Sequence, residues 1–217
     1  MRQTAYTVAI VGPDGSGKTT QATLLVERLQ SAGYDARYVH VLYYLSDRLP
    51  FANRLRSKFG PRTTRTDTSE AMGPWSLVRQ VLFGIAGFWF ALLTIAAVTL
   101  KYRNTDQILV FDRYYQQFFY DVYGPASVRL SQVLPQPCRT IYLEADLATV
   151  QSRVGPADSA AEAQYYATVI ELFTDCATPR WTVLRAELPV ETLHNEIIEA
   201  IGFGDGLERQ PESPRPR

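Results

Sequence analysis

Cysteine and histidine are both scarce in this sequence of 217 residues, which contains two of each. Cys138 and Cys176 do not form a CxxC pair, so the sequence indicates no metal site, and so few cysteines are typical of a reducing compartment. A net charge is also lacking, because 22 acidic residues balance 22 basic ones. This balance gives no reason to expect nucleic acid as a partner.

The first fifteen residues lack three features of a secretory signal: a charged start, a long apolar segment and a small-residue cleavage site. We therefore expect a cytoplasmic protein. Residues 204–217 (GDGLERQPESPRPR) combine proline, glycine and charge, which predicts a flexible tail. Residues 1–203 are enough for a single domain with its own core.

Charge is missing altogether from residues 81–100, VLFGIAGFWFALLTIAAVTL. At about 1.5 Å per residue, a helix of this length would cross the hydrocarbon layer of about 30 Å in a bilayer. The run lies inside a longer helical pattern, from about residue 71 to residue 103. A membrane span is excluded if residues before this run and residues after it belong to one functional site.

Short apolar runs alternate with helical patterns along most of the chain. This alternation is typical of parallel strands joined by helical crossovers, with both faces of the sheet covered. It predicts an α/β fold, a three-layer sandwich around a parallel sheet of five strands. The predicted strands are residues 5–11, 36–44, 107–111, 139–143 and 181–185, and the predicted helices besides the long one are residues 19–30, 147–154, 161–177 and 190–201.

Residues 12–19, GPDGSGKT, match the pattern GxxxxGK[ST] and lie between a predicted strand and a predicted helix. In such a P-loop, glycines let successive backbone N–H groups point at a phosphate chain, and the helix N-terminus adds a positive dipole. Lys18 would reach the β- and γ-phosphates, and the Thr19 hydroxyl would bind Mg²⁺. The motif therefore predicts binding of a nucleoside triphosphate.

A second motif, Asp112-Arg113, ends the third predicted strand. In an open parallel sheet the ligand lies beyond the carboxyl ends of the strands, where Gly12 is also predicted to lie. We therefore expect both motifs to meet at one phosphate group. The Asp112 carboxylate can hold the Mg²⁺ shell or accept a proton from the acceptor, and the Arg113 guanidinium can bind an anionic acceptor through paired hydrogen bonds.

These two motifs and their surroundings resemble those of the thymidylate kinase family of nucleoside monophosphate kinases, and the resemblance covers nearly the whole length of the sequence. The strongest likeness is GPDGSGKTTQ, in which Asp14 stands where the family has an acid inside its P-loop. FDRYY resembles the family's Asp-Arg-Tyr motif, and DLATVQSRV with the residues after it resembles the lid, where Arg153 matches the first lid arginine. Residues 186–189 resemble the loop that packs near adenine.

The resemblance implies a P-loop phosphotransferase that uses ATP and Mg²⁺ and moves the γ-phosphate to a nucleoside monophosphate, with dTMP as the default acceptor. It implies a lid at about residues 153–164 and catalytic roles for Lys18, Asp112, Arg113 and Arg153. The residues implied to bind ATP are Gly12, Asp14, Gly15, Ser16, Gly17, Lys18, Thr19 and Thr20. Those implied to contact the acceptor are Asp14, Arg48, Arg113 and Tyr114, and those implied to bind the metal are Thr19 and Asp112.

The acceptor side departs from the family pattern. After the second strand the family has Arg-Glu-Pro-Gly, whereas this sequence reads YYLSDRLPF and offers only Arg48. The serine and Tyr-Gln residues that help the family to recognise thymine are replaced by QQFFYDVYG. Two alternatives therefore stay open: a P-loop kinase for a non-nucleotide or membrane-linked acceptor, and a nucleotide-binding protein without transfer activity.

The two motifs also bear on residues 81–100, since a span there would put residues 12–19 and Asp112 on opposite sides of about 30 Å of lipid. Phosphoryl transfer needs reacting groups about 3–3.5 Å apart, so we expect no transmembrane span. Three uses remain for the run: a buried core helix, a subunit interface, and peripheral contact with a membrane. The resemblance favours the interface, and with it a homodimer.

Overall fold

The computed structural model describes residues 5–40, 85, 89, 92–98, 100–102, 105–116, 134–155 and 160–202. Within this part of the chain, five strands form one parallel sheet, which confirms the predicted architecture. The strand order is β2-β3-β1-β4-β5, so β1 lies at the centre. The strands are β1 (Tyr6–Val11), β2 (Ala36–His40), β3 (Ile108–Asp112), β4 (Arg139–Glu144) and β5 (Trp181–Arg185).

Four helices with complete bounds connect these strands or follow them. They are α1 (Lys18–Ser31), α2 (Leu147–Val154), α3 (Ala160–Cys176) and α4 (Val190–Ala200). Asp146 caps the N-terminus of α2, because the Thr149 backbone N–H donates to Asp146 Oδ1 at 2.7 Å. Residues 85, 89, 92–98 and 100–102, from the predicted long helix, are helical as well.

The sheet has a hydrophobic core on each face because successive strand side chains point to opposite sides. Val8 and Ile10 of β1 belong to one core, together with apolar side chains of α1 and α4. Ala9 and Val11 belong to the other, together with side chains of α3 and with Val98. Helices therefore cover both faces, and the fold is the predicted three-layer sandwich.

The parallel register brings the carboxyl ends of three strands to the same edge of the sheet. Ile10 pairs with Asp112 across β1 and β3, and His40 pairs with Asp112 across β2 and β3. The turn that leaves β1 therefore begins beside Asp112. This edge is where the sequence predicts the ligand.

Several sequence predictions lie outside the described residues. They concern residues 41–44 of the second strand, Arg48, most of the long helix, residues 156–159 of the lid, and the tail at 204–217. The single domain over residues 1–203 stays a prediction. In the part of the chain that the structure does describe, no helix is both long enough and apolar enough to cross a membrane.

Candidate active site

The turn between β1 and α1 forms a glycine-rich loop with an unusual backbone. The φ angle is 151° at Gly12, 80° at Gly15 and 89° at Gly17. Residues with a Cβ rarely adopt φ angles in this range. A Cβ on Gly12 would also lie 2.6 Å from the carbonyl oxygen of Leu143 on β4. The loop thus needs glycine for its conformation and for its close fit against the neighbouring strand.

Lys18, the first residue of α1, is buried inside this loop with only 4% of its surface exposed. Its Nζ donates a hydrogen bond to the Pro13 carbonyl at 2.5 Å and lies 3.7 Å from Asp14 Oδ1. Burial lowers the pKa of Lys18 from 10.5 to about 8, although the Asp14 carboxylate opposes the shift. The ammonium group is therefore held inside the loop, where an incoming phosphate would strengthen its charged form.

Asp112, the last residue of β3, is completely buried and contacts the residue that follows Lys18. The Thr19 hydroxyl donates to Asp112 Oδ2 at 2.7 Å. This contact joins the two sequence motifs, 93 residues apart, and confirms that they meet at one edge of the sheet. It is also the proximity on which the sequence argument against a membrane span depends.

Asp112 has a second hydroxyl donor that the sequence analysis missed. Tyr38 on β2 donates to the same Oδ2 atom at 2.5 Å. Tyr38 belongs to no recognisable motif and lies in an ordinary edge strand, so only the strand pairing could have indicated it. The other carboxylate oxygen, Oδ1, is buried and has no hydrogen-bond partner among the described residues.

Arg113 follows Asp112 with a left-handed backbone, φ 67°, which is uncommon for a residue other than glycine. Its backbone N–H donates to the Ile10 carbonyl at 3.1 Å, which continues the hydrogen bonding between β3 and β1 by one residue. The guanidinium NH2 then lies 3.0 Å from Asp14 Oδ1 in the P-loop. Arg113 and Asp14, each about one-third exposed, together form the rim of the site.

Arg153 reaches the site from the last turn of α2. One guanidinium nitrogen donates to the Gly15 carbonyl at 3.2 Å and the other donates to the Ala186 carbonyl at 2.8 Å. These bonds connect the P-loop with the loop after β5. The predicted lid arginine therefore lies against the P-loop, at the end of a helix.

Gly15 shows how closely α2 packs against the P-loop. A Cβ added at this glycine would lie 2.8 Å from Cγ2 of Val154 and 3.4 Å from the Val150 carbonyl oxygen. A methyl group at Gly15 would therefore require the Val154 side chain to move.

An open cavity of about 440 Å³ lies over the P-loop. The P-loop and the start of α1 form its floor, Arg113 and Arg153 form part of its wall, and apolar side chains after β5 form the far end. Tyr114 does not line it: this side chain is buried, and its hydroxyl donates to the Pro135 carbonyl. The lining residues are Asp14, Gly15, Ser16, Gly17, Lys18, Thr19, Thr20, Gln21, Arg113, Arg153, Ala186, Leu188, Val190 and Leu193.

These features define a class of protein. A P-loop follows the central strand of a parallel sheet, a carboxylate from the adjacent strand contacts the P-loop threonine, and two arginines face the same cavity. This is the arrangement of a P-loop nucleotide-binding enzyme that transfers phosphoryl groups.

Comparisons with known proteins identify the family within this class. The thymidylate kinase family model matches residues 10–197. A solved structure of thymidylate kinase from Candida albicans is similar, with a TM-score of 0.62 and 18% sequence identity, over 98% of this chain and 97% of that one. No match was found among curated proteins. The chain belongs to the thymidylate kinase family and is an ATP-dependent phosphotransferase of that type.

Proposed function

We propose that this protein transfers the γ-phosphoryl group of ATP to dTMP. The main support is the contact of 2.7 Å between the Thr19 hydroxyl and Asp112, because it brings the donor-binding loop and the predicted acceptor motif to one point. Membership of the thymidylate kinase family supports dTMP as the acceptor.

On the donor side, the backbone N–H groups of Gly12 and of residues 14–20, together with the Lys18 ammonium, bind the phosphates of ATP. The φ angles of Gly15 and Gly17 and the start of α1 at Lys18 support this role. The adenine would lie towards Ala186 and Leu188, which line the apolar end of the cavity. Ser16 has a buried hydroxyl without a hydrogen-bond partner in the described part of the chain, as expected where a phosphate oxygen would bind.

On the acceptor side, Arg113 binds the phosphate of the monophosphate and Asp14 contacts its sugar. The two side chains are 3.0 Å apart and both face the cavity, so a phosphate arriving at Arg113 would compete with Asp14 for the guanidinium. We also keep Arg48 and Tyr114 as predicted acceptor contacts. Arg48 lies outside the described residues, and Tyr114 would have to leave its bond to Pro135 to reach the acceptor.

The residues present fit a magnesium ion held mainly by phosphates. Mg²⁺ prefers oxygen ligands and usually takes one or two from protein together with water and phosphate oxygens. Thr19 and Asp112 offer such oxygens, and Asp112 Oδ1 has no partner in the described chain. No cluster of three or more His, Cys, Asp or Glu side chains that could hold a metal occurs in the described residues. When bound, Mg²⁺ would neutralise charge on the transferring phosphate.

The chemistry of the chain itself is positioning and charge stabilisation. Phosphoryl transfer spreads negative charge over the equatorial oxygens of the moving group, and fixed cations around it lower the barrier. Lys18 supplies one of these cations from the floor of the cavity and Arg113 supplies another from its wall. Arg153 supplies a third once its bond to Gly15 is exchanged for a phosphate oxygen. Asp112 accepts a proton or a water hydrogen bond at Oδ1.

We further propose a cytoplasmic homodimer. Both cysteines are free thiols, as is typical of a reducing compartment. On the helical segment, five apolar side chains are between 36% and 67% exposed: Ile85, Trp89, Leu92, Leu93 and Leu100. On the same segment Thr94 and Val98 are buried, and Val98 packs in the core with side chains of the sheet. An exposed apolar strip opposite a buried face supports packing against a second copy.

The function is tested by measuring ADP formation from ATP with dTMP as the acceptor. We expect turnover to depend on dTMP and to fall about 10²-fold or more in Lys18→Ala, because the variant loses a charge aimed at the phosphates. Lys101→Ala is the matched control, since Lys101 is exposed and its ammonium lies over the Tyr102 ring.

A panel of nucleoside monophosphates, nucleosides and sugars, each tested at the same concentration, shows whether dTMP is the preferred acceptor. Turnover of another acceptor without turnover of dTMP would contradict the proposed substrate. ATP binding with no acceptor-dependent ADP would contradict the proposed transfer activity. Unchanged turnover in Lys18→Ala would contradict the donor-site assignment.

A further inference from the structure

Asp112 Oδ2 accepts two hydroxyl hydrogen bonds from different parts of the fold. Thr19 donates from the start of α1 at 2.7 Å, and Tyr38 donates from β2 at 2.5 Å. Both donors approach the same oxygen, so the plane of the carboxylate is fixed from two directions. A fully buried carboxylate needs such donors because its charge is otherwise poorly stabilised.

The position of Tyr38 follows from the strand register. Tyr38 pairs with Val110, and His40 pairs with Asp112, so Tyr38 lies two residues before the position opposite the carboxylate. Two residues of a parallel strand cover about 6.6 Å. A serine or threonine hydroxyl could not cover that distance, whereas the phenol of a tyrosine can.

The two donors leave Asp112 Oδ1 for another partner. This atom is buried and has no hydrogen-bond partner in the described residues. A buried carboxylate oxygen of this kind normally binds a water molecule or an ion. Because Oδ2 is held on both sides, Oδ1 has a fixed direction in which to meet the hydration shell of a metal.

We propose that Tyr38 is a positioning residue for Asp112: its hydroxyl orients the carboxylate so that Oδ1 receives the magnesium ion that accompanies the nucleotide. The inference rests on the proposed magnesium site and adds to it a residue from the edge strand. Hydrogen bonds to metal-binding carboxylates orient the ligands, and their loss commonly lowers metal affinity by about 10–100-fold.

The test is a binding measurement rather than an assay of turnover. The affinity for ADP is measured by calorimetry with a saturating concentration of MgCl₂ and again in EDTA, and the ratio of the two affinities is the magnesium gain. We expect Tyr38→Phe to keep the ADP affinity in EDTA and to reduce the magnesium gain about 10-fold. Tyr6→Phe is the matched control, because its hydroxyl donates to the Ile201 carbonyl at 3.3 Å, away from the cavity.

A double-mutant cycle with Asp112→Asn separates positioning from general stability. If Tyr38 acts through Asp112, Tyr38→Phe reduces the magnesium gain in the parent but causes no further reduction in the Asp112→Asn background. Equal reductions in both backgrounds would overturn the inference. So would a rise in KM for dTMP with an unchanged magnesium gain, because that result would make Tyr38 an acceptor contact.

The outcomes also distinguish this inference from the function on which it rests. A parent protein that binds ADP equally well with MgCl₂ and with EDTA would contradict the proposed magnesium site itself. A clear gain in the parent that Tyr38→Phe fully retains would overturn the role of Tyr38 and leave the proposed function intact. Thermal unfolding of each variant without ligand shows whether the fold is preserved.

Discussion

Gly12 leaves β1 at a point where the backbone of β4 passes very close to it. A Cβ there would lie 2.6 Å from the Leu143 carbonyl oxygen and 2.8 Å from the Ser16 hydroxyl. The first of these atoms is backbone in the interior of the sheet and cannot move aside without disturbing the strand. The second belongs to the loop that surrounds the phosphates. One extra methyl group would therefore press on both the sheet and the binding loop.

We expect Gly12→Ala to destabilise the protein through backbone strain of about 1–3 kcal/mol and overpacking of about a further 1–3 kcal/mol. It should also weaken ADP binding, because the overlap displaces Ser16. Urea unfolding and calorimetry measure the two effects. Gly33→Ala is the control: Gly33 has a φ of 87°, but a Cβ there would meet no atom within 4 Å. If both variants lose the same stability and bind ADP equally well, the overlap at Gly12 has no consequence.

The residues of the candidate site that belong to continuous motifs could be predicted from the sequence. Lys18 and Thr19 stand at fixed positions in the P-loop pattern, and Asp112 stands where a strand ends. Their mutual contact followed from the rule that parallel strands end at one edge of the sheet. Tyr38 could not be found in this way, because its partner is 74 residues away and the contact depends on which strands are neighbours.

At the scale of elements, α1 and α4 are joined by a buried polar contact. Gln21 of α1 is 2% exposed, and its amide nitrogen donates to the Val190 carbonyl at 3.0 Å. Its amide oxygen lies 3.3 Å from Nδ1 of His194. Burial, with a smaller contribution from the Arg28 charge, lowers the pKa of His194 below its usual value of 6.5. Burial and the Arg28 charge therefore favour the neutral imidazole.

The lowered pKa of His194 makes the free energy of unfolding depend on pH in a defined direction. The unfolded chain binds a proton at His194 at a higher pH than the folded chain does, so the free energy of unfolding falls as the pH drops below about 6.5. We expect His194→Gln to reduce this loss. Urea unfolding of the parent and the variant at pH 5.5 and pH 7.5 measures it (both about one unit from the usual histidine pKa). The prediction is wrong if the two proteins lose equal stability between these pH values.

The strands and helices could largely be predicted because their apolar runs are short, clear and separated by turns. In the described part of the chain, the predicted strands and the predictions for α1 to α4 correspond to elements of the structure, with ends that agree to within one residue. The strand order β2-β3-β1-β4-β5 could not be predicted from the apolar runs. It depends on how each crossover packs against the sheet, which involves contacts between distant parts of the chain.

For the molecule as a whole, we propose that the apolar strip on the helical segment is the surface through which two copies of the chain associate. Trp89 and Leu93 are 57% and 58% exposed, which is a large apolar area for a side of the protein that faces water. On the same segment Thr94 is fully buried, so the helix is anchored to the sheet by its other face. A second copy of the chain would cover the exposed side by symmetry.

We expect light scattering to give twice the mass of the chain for the parent protein and the mass of one chain for Leu93→Asp, because a carboxylate cannot be buried unpaired at such an interface. Leu93→Met keeps the position apolar and should stay dimeric. Trp89→Asp provides a second disruption on the same strip. A monomeric parent at micromolar concentrations, or a dimeric Leu93→Asp, would contradict the proposed interface.

Because α2 packs against Gly15, we expect a movement of α2 to change the position of the P-loop. A Cβ on Gly15 would lie 2.8 Å from Cγ2 of Val154, so the P-loop is in close contact with the helix that carries Arg153. A small displacement of that helix would therefore shift the P-loop backbone around the nucleotide. We expect the predicted lid and the P-loop to move together through this contact, so that release of ADP is coupled to a movement of α2.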